Sequence, residues 1–227
     1  MNAPPTHPPP TPPPDVTDLG GGVHRIDARL GGRPEVVAVY VHALADGGVA
    51  LVETASGATV TTVQNALAEL GVGPRDVRAI VVTHVHLDHA AGAGRLAAWS
   101  GAPVLVHPRG APHLADPRRL WRSAARLYGA AMDPLFGPME PVPDAALRPV
   151  EPGPLELGGT RFEVLFVPGH AEHHLALLGQ AGDAYVGDAA GILLPGVPRI
   201  RPALPPPETD LAAAATSCAT LAAHAPT

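Results

Sequence analysis

Apolar positions in this chain come in short runs cut by glycine-rich turns, then in longer helical spacings. Gly22–Asp27, Glu35–Leu44 and Val49–Thr54 are such runs, separated by Leu30-Gly31-Gly32 and Asp46-Gly47-Gly48. Runs of this kind predict consecutive antiparallel strands. Val60, Val63, Leu67 and Leu70 then fall at helical spacing, which predicts a helix over Thr59–Leu70 that stops at Gly71. The unbroken apolar run Val77–Val82 predicts a buried strand, Ala90–Trp99 a helix rich in small residues, and Pro103–His107 a short strand. Farther on, Leu155–Leu157 and Arg161–Val167 predict a hairpin about Gly158-Gly159, and Leu175–Leu178 and Ala184–Val186 two more strands. A last helix is predicted from about Asp210 to Ala223, with Thr209 as its N-cap. Strands followed by a helix occur twice, so the predicted class is α/β, two stacked sheets with helices outside.

The segment 108–143 breaks this rhythm. Arg118, Arg119, Arg122 and Arg126 alternate with Leu120, Trp121, Ala124, Ala125 and Leu127, as on an amphipathic helix. Met132, Leu135, Phe136 and Met139 follow among prolines. Two readings are open. Either the segment packs on the flank of the domain, or it is a lid whose Trp121, Tyr128 and Phe136 line a substrate mouth.

Composition narrows the picture. The chain has 227 residues, which suits one compact domain; 46% are hydrophobic but only 4% aromatic, so Ala, Val and Leu must build the core. Every one of the 15 basic residues is arginine, and the net charge of −6 with no basic run argues against a nucleic-acid partner. Cys218 is the one cysteine, which excludes an intrachain disulfide and a cysteine-based metal site. Residues 1–15 read as a Pro-rich disordered tail in which His7 is solvated, and 16–227 as one domain. The tail has neither the basic start nor the apolar segment of a signal peptide, and Leu211–Ala223 is too short to span a bilayer. The expected location is cytoplasmic, with a small-molecule substrate and no membrane partner. Oligomeric state is not legible.

The candidate chemistry lies in Thr83-His84-Val85-His86-Leu87-Asp88-His89, between the predicted buried strand and the helix. His84 and His86, two apart in extended chain, leave on the same side and can close on one cation. Asp88 and His89 come where the chain turns into the helix and can serve a second. A lone histidine is ordinarily a packing or surface residue. Four such groups packed together gain little from burial without a metal, and imidazole with carboxylate is a set that zinc accepts. His24, His42 and His107 are read as packing or surface residues, with a supporting role open for His107.

A histidine-rich HxHxDH motif after an apolar strand resembles the metallo-β-lactamase-fold hydrolases, a superfamily that includes glyoxalase-II and lactonase-like enzymes. Pro168-Gly169-His170 and Gly187-Asp188 extend the resemblance, which covers Leu19 to Ala223. It implies an αββα sandwich of two mixed sheets flanked by helices. It also implies a first metal on His84, His86 and His170, a second on Asp88 and His89, and Asp188 between them. A metal-bound hydroxide would be the nucleophile, oriented by Asp88. The cofactor implied is zinc, two ions in the complete protein, with iron or manganese as other occupants. Glu53-Thr54-Ala55 stands where the family has Asp-Thr-Gly, so Glu53 is expected to support a ligand histidine from behind. His174 is expected to do likewise.

The family also takes a last histidine after a late strand. His224, at a helix end, lacks that context, so the sequence is expected to stop short of its final strand and histidine. The function implied is a dinuclear metallo-hydrolase acting on an ester, thioester, lactone or amide. Alternatives are a non-haem iron oxygenase or di-iron protein on the same fold, or a metal-binding remnant without activity. Gly191 stands where the lactonases of this fold carry tyrosine, so the substrate class stays open.

Overall fold

A computed structural model describes residues 15–203, 205 and 209–224. β1 (Asp15–Gly20), β2 (Val23–Asp27), β3 (Ala38–Ala43), β4 (Val49–Val52), β5 (Val77–Val81), β6 (Val104–Val106) and β7 (Leu147–Pro149) lie side by side in chain order as a seven-stranded sheet. β1 to β4 pair antiparallel and β4 to β7 parallel. The change comes where helix α1 (Val60–Glu69) carries the chain back before β5, as a parallel pair requires. β8 (Gly153–Leu157), β9 (Thr160–Phe166), β10 (Leu175–Gly179) and β11 (Ala184–Tyr185) form a four-stranded antiparallel sheet in the order β11-β10-β9-β8.

β4 is apolar throughout because both its faces are covered. Val49 and Leu51 meet Val63 and Leu67 of α1 and Leu96 of α3 (Ala93–Ser100), while Ala50 and Val52 meet Phe162, Val164, Leu175 and Leu177 of the second sheet. Helix α7 (Leu211–His224) sets Leu221 against Val167 and Ala176 on the outer side of that sheet. The layers therefore run helix, sheet, sheet, helix, as expected. Between β6 and β7 lie α4 (Ala111–Ala115), α5 (Arg118–Tyr128) and α6 (Met132–Phe136). Met132 and Phe136 pack on Leu87 and Ala91, at and just beyond the short helix α2 (Leu87–Ala90).

Some boundaries differ from the sequence reading. Asp15, expected to end the tail, begins β1; the rest of that tail, with His7, lies outside the described residues. The helix expected over Ala90–Trp99 is two, α2 and α3, because α2 already starts inside the histidine motif. β7 has no apolar run to announce it and exists through its pairing with β6. Asp210, not Thr209, caps α7: its Oδ1 accepts the N–H groups of Ala212 and Ala213 at 2.9 and 3.0 Å, while the Thr209 hydroxyl donates to Pro205 O. No helix among the described residues is long and apolar enough to cross a membrane.

Candidate metal centre

Four loops meet at one end of the sandwich, those that follow β4, β5, β9 and β11. They bring together Glu53, Thr83–His89, His170–His174 and Gly187-Asp188.

His170 Nε2 lies 3.2 Å from His84 Nε2 and 2.8 Å from His86 Nδ1. A neutral imidazole carries a proton on one nitrogen and a lone pair on the other, and the partners decide which. The Thr83 hydroxyl donates to Glu53 Oε1, so it can only accept from His84 Nδ1, 3.0 Å away. The lone pair of His84 is thereby left on Nε2, facing His170. His170 Nδ1 donates to Ala203 O at 2.9 Å, which likewise leaves its Nε2 lone pair facing inward. Burial, reinforced by the neighbouring imidazoles, holds His84 and His86 neutral, well below the ordinary histidine range. Imidazole lone pairs aimed at a common point repel one another unless a cation stands between them. The ligand atoms of His84, His86 and His170 all lie within 4.8 Å of one another.

The adjoining half is acidic. His89 Nε2 lies 3.5 Å from Asp88 Oδ2 and 3.4 Å from Asp188 Oδ1, and its Nδ1 3.4 Å from Glu53 Oε1. Burial pulls His89 down, but Asp88, Glu53 and Asp188 together outweigh it and lift the ring to about 10. Three carboxylates around one buried ring call for positive charge, and Glu53 Oε1, at 3.4 Å, is the group that His89 Nδ1 faces. Asp188 turns its other oxygen, Oδ2, to His170 Nε2 at 3.5 Å, so one carboxylate touches both halves. Imidazoles on one side, a shared carboxylate between, and a histidine among carboxylates on the other fit a divalent cation in chemistry and in spacing. Glu53, His84 and His89 form a second close group. His84 cannot serve both groups, and the converging lone pairs assign it to His86 and His170.

The surroundings fix these side chains in place. Glu53 sits at φ 71°, a left-handed conformation that side chains rarely adopt, held by its N–H to Val81 O at 2.8 Å. The Thr54 N–H and hydroxyl both donate to His89 O, at 2.9 and 2.8 Å. Gly92 lets this loop approach, since a Cβ there would collide with Thr54 O. His174 Nδ1 donates to Leu175 O at 3.0 Å, and its Nε2 accepts the Asp188 N–H at 3.2 Å. His174 thus holds the backbone of Asp188. Gly187, at φ 49°, packs where a Cβ would strike Thr83 Oγ1 and the His174 ring. His173 is pushed down to about 4 by burial first and by His113 next.

The six candidate ligands from the sequence, His84, His86, Asp88, His89, His170 and Asp188, all meet here, with Glu53 and His174 behind them. His224 does not: it is exposed, and its Nδ1 donates to Thr220 O in its own helix at 2.8 Å. His107 packs on Phe166, ring centroids 4.0 Å apart and planes tilted by 41°, and His42 is buried against Phe162 with Nδ1 2.8 Å from the Tyr185 hydroxyl. Beside the centre opens a cavity of about 900 Å³, lined by Glu53, Asp88, His89 and Asp188 at its floor. Trp121, Tyr128 and Phe136 are not on its wall. Phe136 is buried and Trp121 packs beside it in the cluster around α2. Tyr128 alone is half-exposed; burial first, then the charge of Asp88, raises its phenol. The sequence reading passed over Thr83, whose only signal is that it directly precedes the first histidine. It also passed over Arg25 and Tyr40 on the cavity wall.

The sequence matches the family model described as the metallo-beta-lactamase superfamily over residues 31–223. A metallo-beta-lactamase fold-containing protein of Sulfurisphaera tokodaii is 30% identical over 190 residues, 82% of this chain and 68% of that protein. Among solved structures, an archaeal metallo-beta-lactamase superfamily protein from Sulfolobus tokodaii superposes with a TM-score of 0.75 at 25% identity, over 88% of this chain and 75% of that one. A metallo-beta-lactamase family protein from Thermus thermophilus gives 0.64 at 27% identity, over 91% and 71%.

Proposed function

The chain belongs to the metallo-beta-lactamase superfamily, and on that premise we propose that it is a dinuclear zinc hydrolase acting on an ester, thioester, lactone or amide. One observation carries the reading. His84 Nε2, His86 Nδ1 and His170 Nε2 converge, and Asp188 offers one oxygen to this group and the other to His89. When bound, the cations supply Lewis acidity and bring the pKa of a water near neutrality.

The chain's own residues do the rest. His84, His86 and His170 would hold the first cation, Asp88 and His89 the second, and Asp188, which lies near both His89 and His170, would serve both. Asp88, about a third exposed at the cavity floor, accepts the proton of the attacking water and returns it to the leaving group. Glu53, through Thr83 and His89, and His174, through the Asp188 N–H, keep these groups oriented. Tyr128, near Asp88, is the one aromatic of the helical insertion we assign to a lid.

Metal analysis of the purified protein, with a panel of thioester, lactone, ester and phosphoester substrates, tests the reading. His84→Ala is expected to lose the first metal and all hydrolysis. A variant that kept both would overturn the ligand assignment, and iron in place of zinc would move the chain to oxygenase chemistry.

A further inference from the structure

A row of directly paired residues crosses the large sheet: Thr17, Arg25, Tyr40, Val52 and Val81. Paired residues share one face of a sheet. Val52 and Val81 belong to the core between the sheets, so the whole row looks toward the second sheet. That sheet ends at β11, which is only Ala184–Tyr185. Polarity along the row follows the cover. Val52 and Val81 are buried under the second sheet, whereas Tyr40 and Arg25 are half-buried on the cavity wall, with Ala184 and Tyr185 opposite.

Arg25 is the one arginine lining that cavity among the described residues. Its Nη2 donates to Thr17 Oγ1 at 3.2 Å, and no ion pair occupies it among the described residues, where the ion-paired arginines are Arg29, Arg78, Arg109 and Arg118. Asp27 and Glu35 line the same cavity, but neither comes within ion-pair distance of the guanidinium, and the two Asp27 oxygens accept the N–H groups of Arg29 and Glu35 at 2.9 and 2.8 Å. A half-buried guanidinium with unused donors, facing a cavity, is suited to a carboxylate or phosphate. Apolar residues make up much of the remaining lining, among them Val36, Val37, Ile192, Leu193 and Leu194.

We propose that the substrate carries an anionic group, which Arg25 receives beside Tyr40, joined by an apolar stretch to the bond that is cut at the floor. This rests on the hydrolase reading above and specifies its substrate class. β2 and β4 are two strand spacings apart, about 10 Å, and Glu53 directly follows β4. An acyl compound with a terminal carboxylate about that far from its ester or thioester carbonyl matches the cavity.

The test uses the zinc-loaded protein with mono-4-nitrophenyl suberate and 4-nitrophenyl octanoate, which have equal chain length but of which one is anionic. The parent is expected to favour the suberate ester in kcat/KM by about tenfold or more. Arg25→Gln should bring that preference close to unity, chiefly through KM, and Arg25→Lys should keep part of it. Suberate itself, which has no bond to cut, is titrated calorimetrically, and its Kd should weaken about tenfold in Arg25→Gln at unchanged metal content. Tyr40→Phe, which removes only a hydroxyl, should weaken suberate in the same direction and serves if Arg25→Gln does not fold. Equal use of the two esters by the parent, or suberate binding indifferent to Arg25 and Tyr40, overturns the anion site and leaves the hydrolase reading intact. If neither ester is cut while suberate binding still depends on Arg25, the anion site stands and the ester branch of the hydrolase reading falls.

Discussion

Thr83 joins two side chains through one hydroxyl. It donates to Glu53 and accepts from His84 Nδ1, and so decides which nitrogen of His84 faces His170. Thr83→Val keeps the shape and removes the hydroxyl. It leaves the buried His84 Nδ1–H without a partner and takes one hydrogen bond from the buried Glu53 carboxylate, at a cost of about 1–3 kcal/mol. The expected outcome is a lower Tm and metal affinity weaker by about 10–100-fold, with Thr83→Ser close to the parent. Parental affinity in the valine variant would mean that the tautomer of His84 is set in another way. Part of this was legible in the sequence. Spacing alone puts His84 and His86 on one side of an extended chain, but the Thr83 hydroxyl that orients His84 is itself turned by Glu53, thirty positions before Thr83, in the loop after β4.

At the scale of elements, the amphipathic pattern of α5 was legible and its destination was not. Arginines alternating with Leu120, Trp121 and Ala124 predict a helix with one apolar face, yet two readings fit that face equally, flank packing and a lid. The structure lays it and α6 against the helix that carries Asp88 and His89, with Phe136 buried beside Met132 and Leu87. Phe136→Ala is therefore expected to cost about 3–5 kcal/mol of stability, read as a fall in Tm, while kcat/KM per folded molecule stays within about twofold of the parent. A stable variant with a raised KM would restore Phe136 to the substrate mouth. β7 shows the reverse limit. Three residues with no apolar run form a strand because β6 offers an unpaired edge, and pattern reading has no access to a neighbour's edge.

At the scale of the molecule, the centre makes stability depend on pH. His84, His86, His173 and His174 are held below 6.5, all chiefly by burial. Below pH 6.5 the unfolded chain takes up protons that the folded histidines refuse, so stability falls as the pH drops, down to about 4 in the case of His173. His89 runs the other way. Raised to about 10, it contributes stability that is present below 6.5 and lost as the pH rises through 10. Metal binding adds to the acid dependence, because protons compete for the same lone pairs. The metal-free protein is expected to lose thermal stability steadily from pH 6.5 to 4, and the loaded protein to release metal in that window. A flat Tm across it would contradict the burial of neutral histidines on which the centre is built.

Whatever depends on near neighbours could be read along the chain. The period of apolar positions marked most strands and helices, and the spacing of His84, His86, Asp88 and His89 placed a metal-binding loop at a strand end. Pro168-Gly169-His170 and Gly187-Asp188 supplied the rest of the ligand set through resemblance. The tertiary structure alone decided what depends on register and cover. Thr17, Arg25, Tyr40 and Val52 fall in one row only because four strands pair as they do, and that row opens into a cavity only because the second sheet ends at β11. The link from Glu53 through Thr83 to His84, and the aim of Asp188 at both His89 and His170, are likewise contacts between distant segments. Local propensity acts over a few residues, whereas these arrangements arise from the packing of two whole sheets against each other.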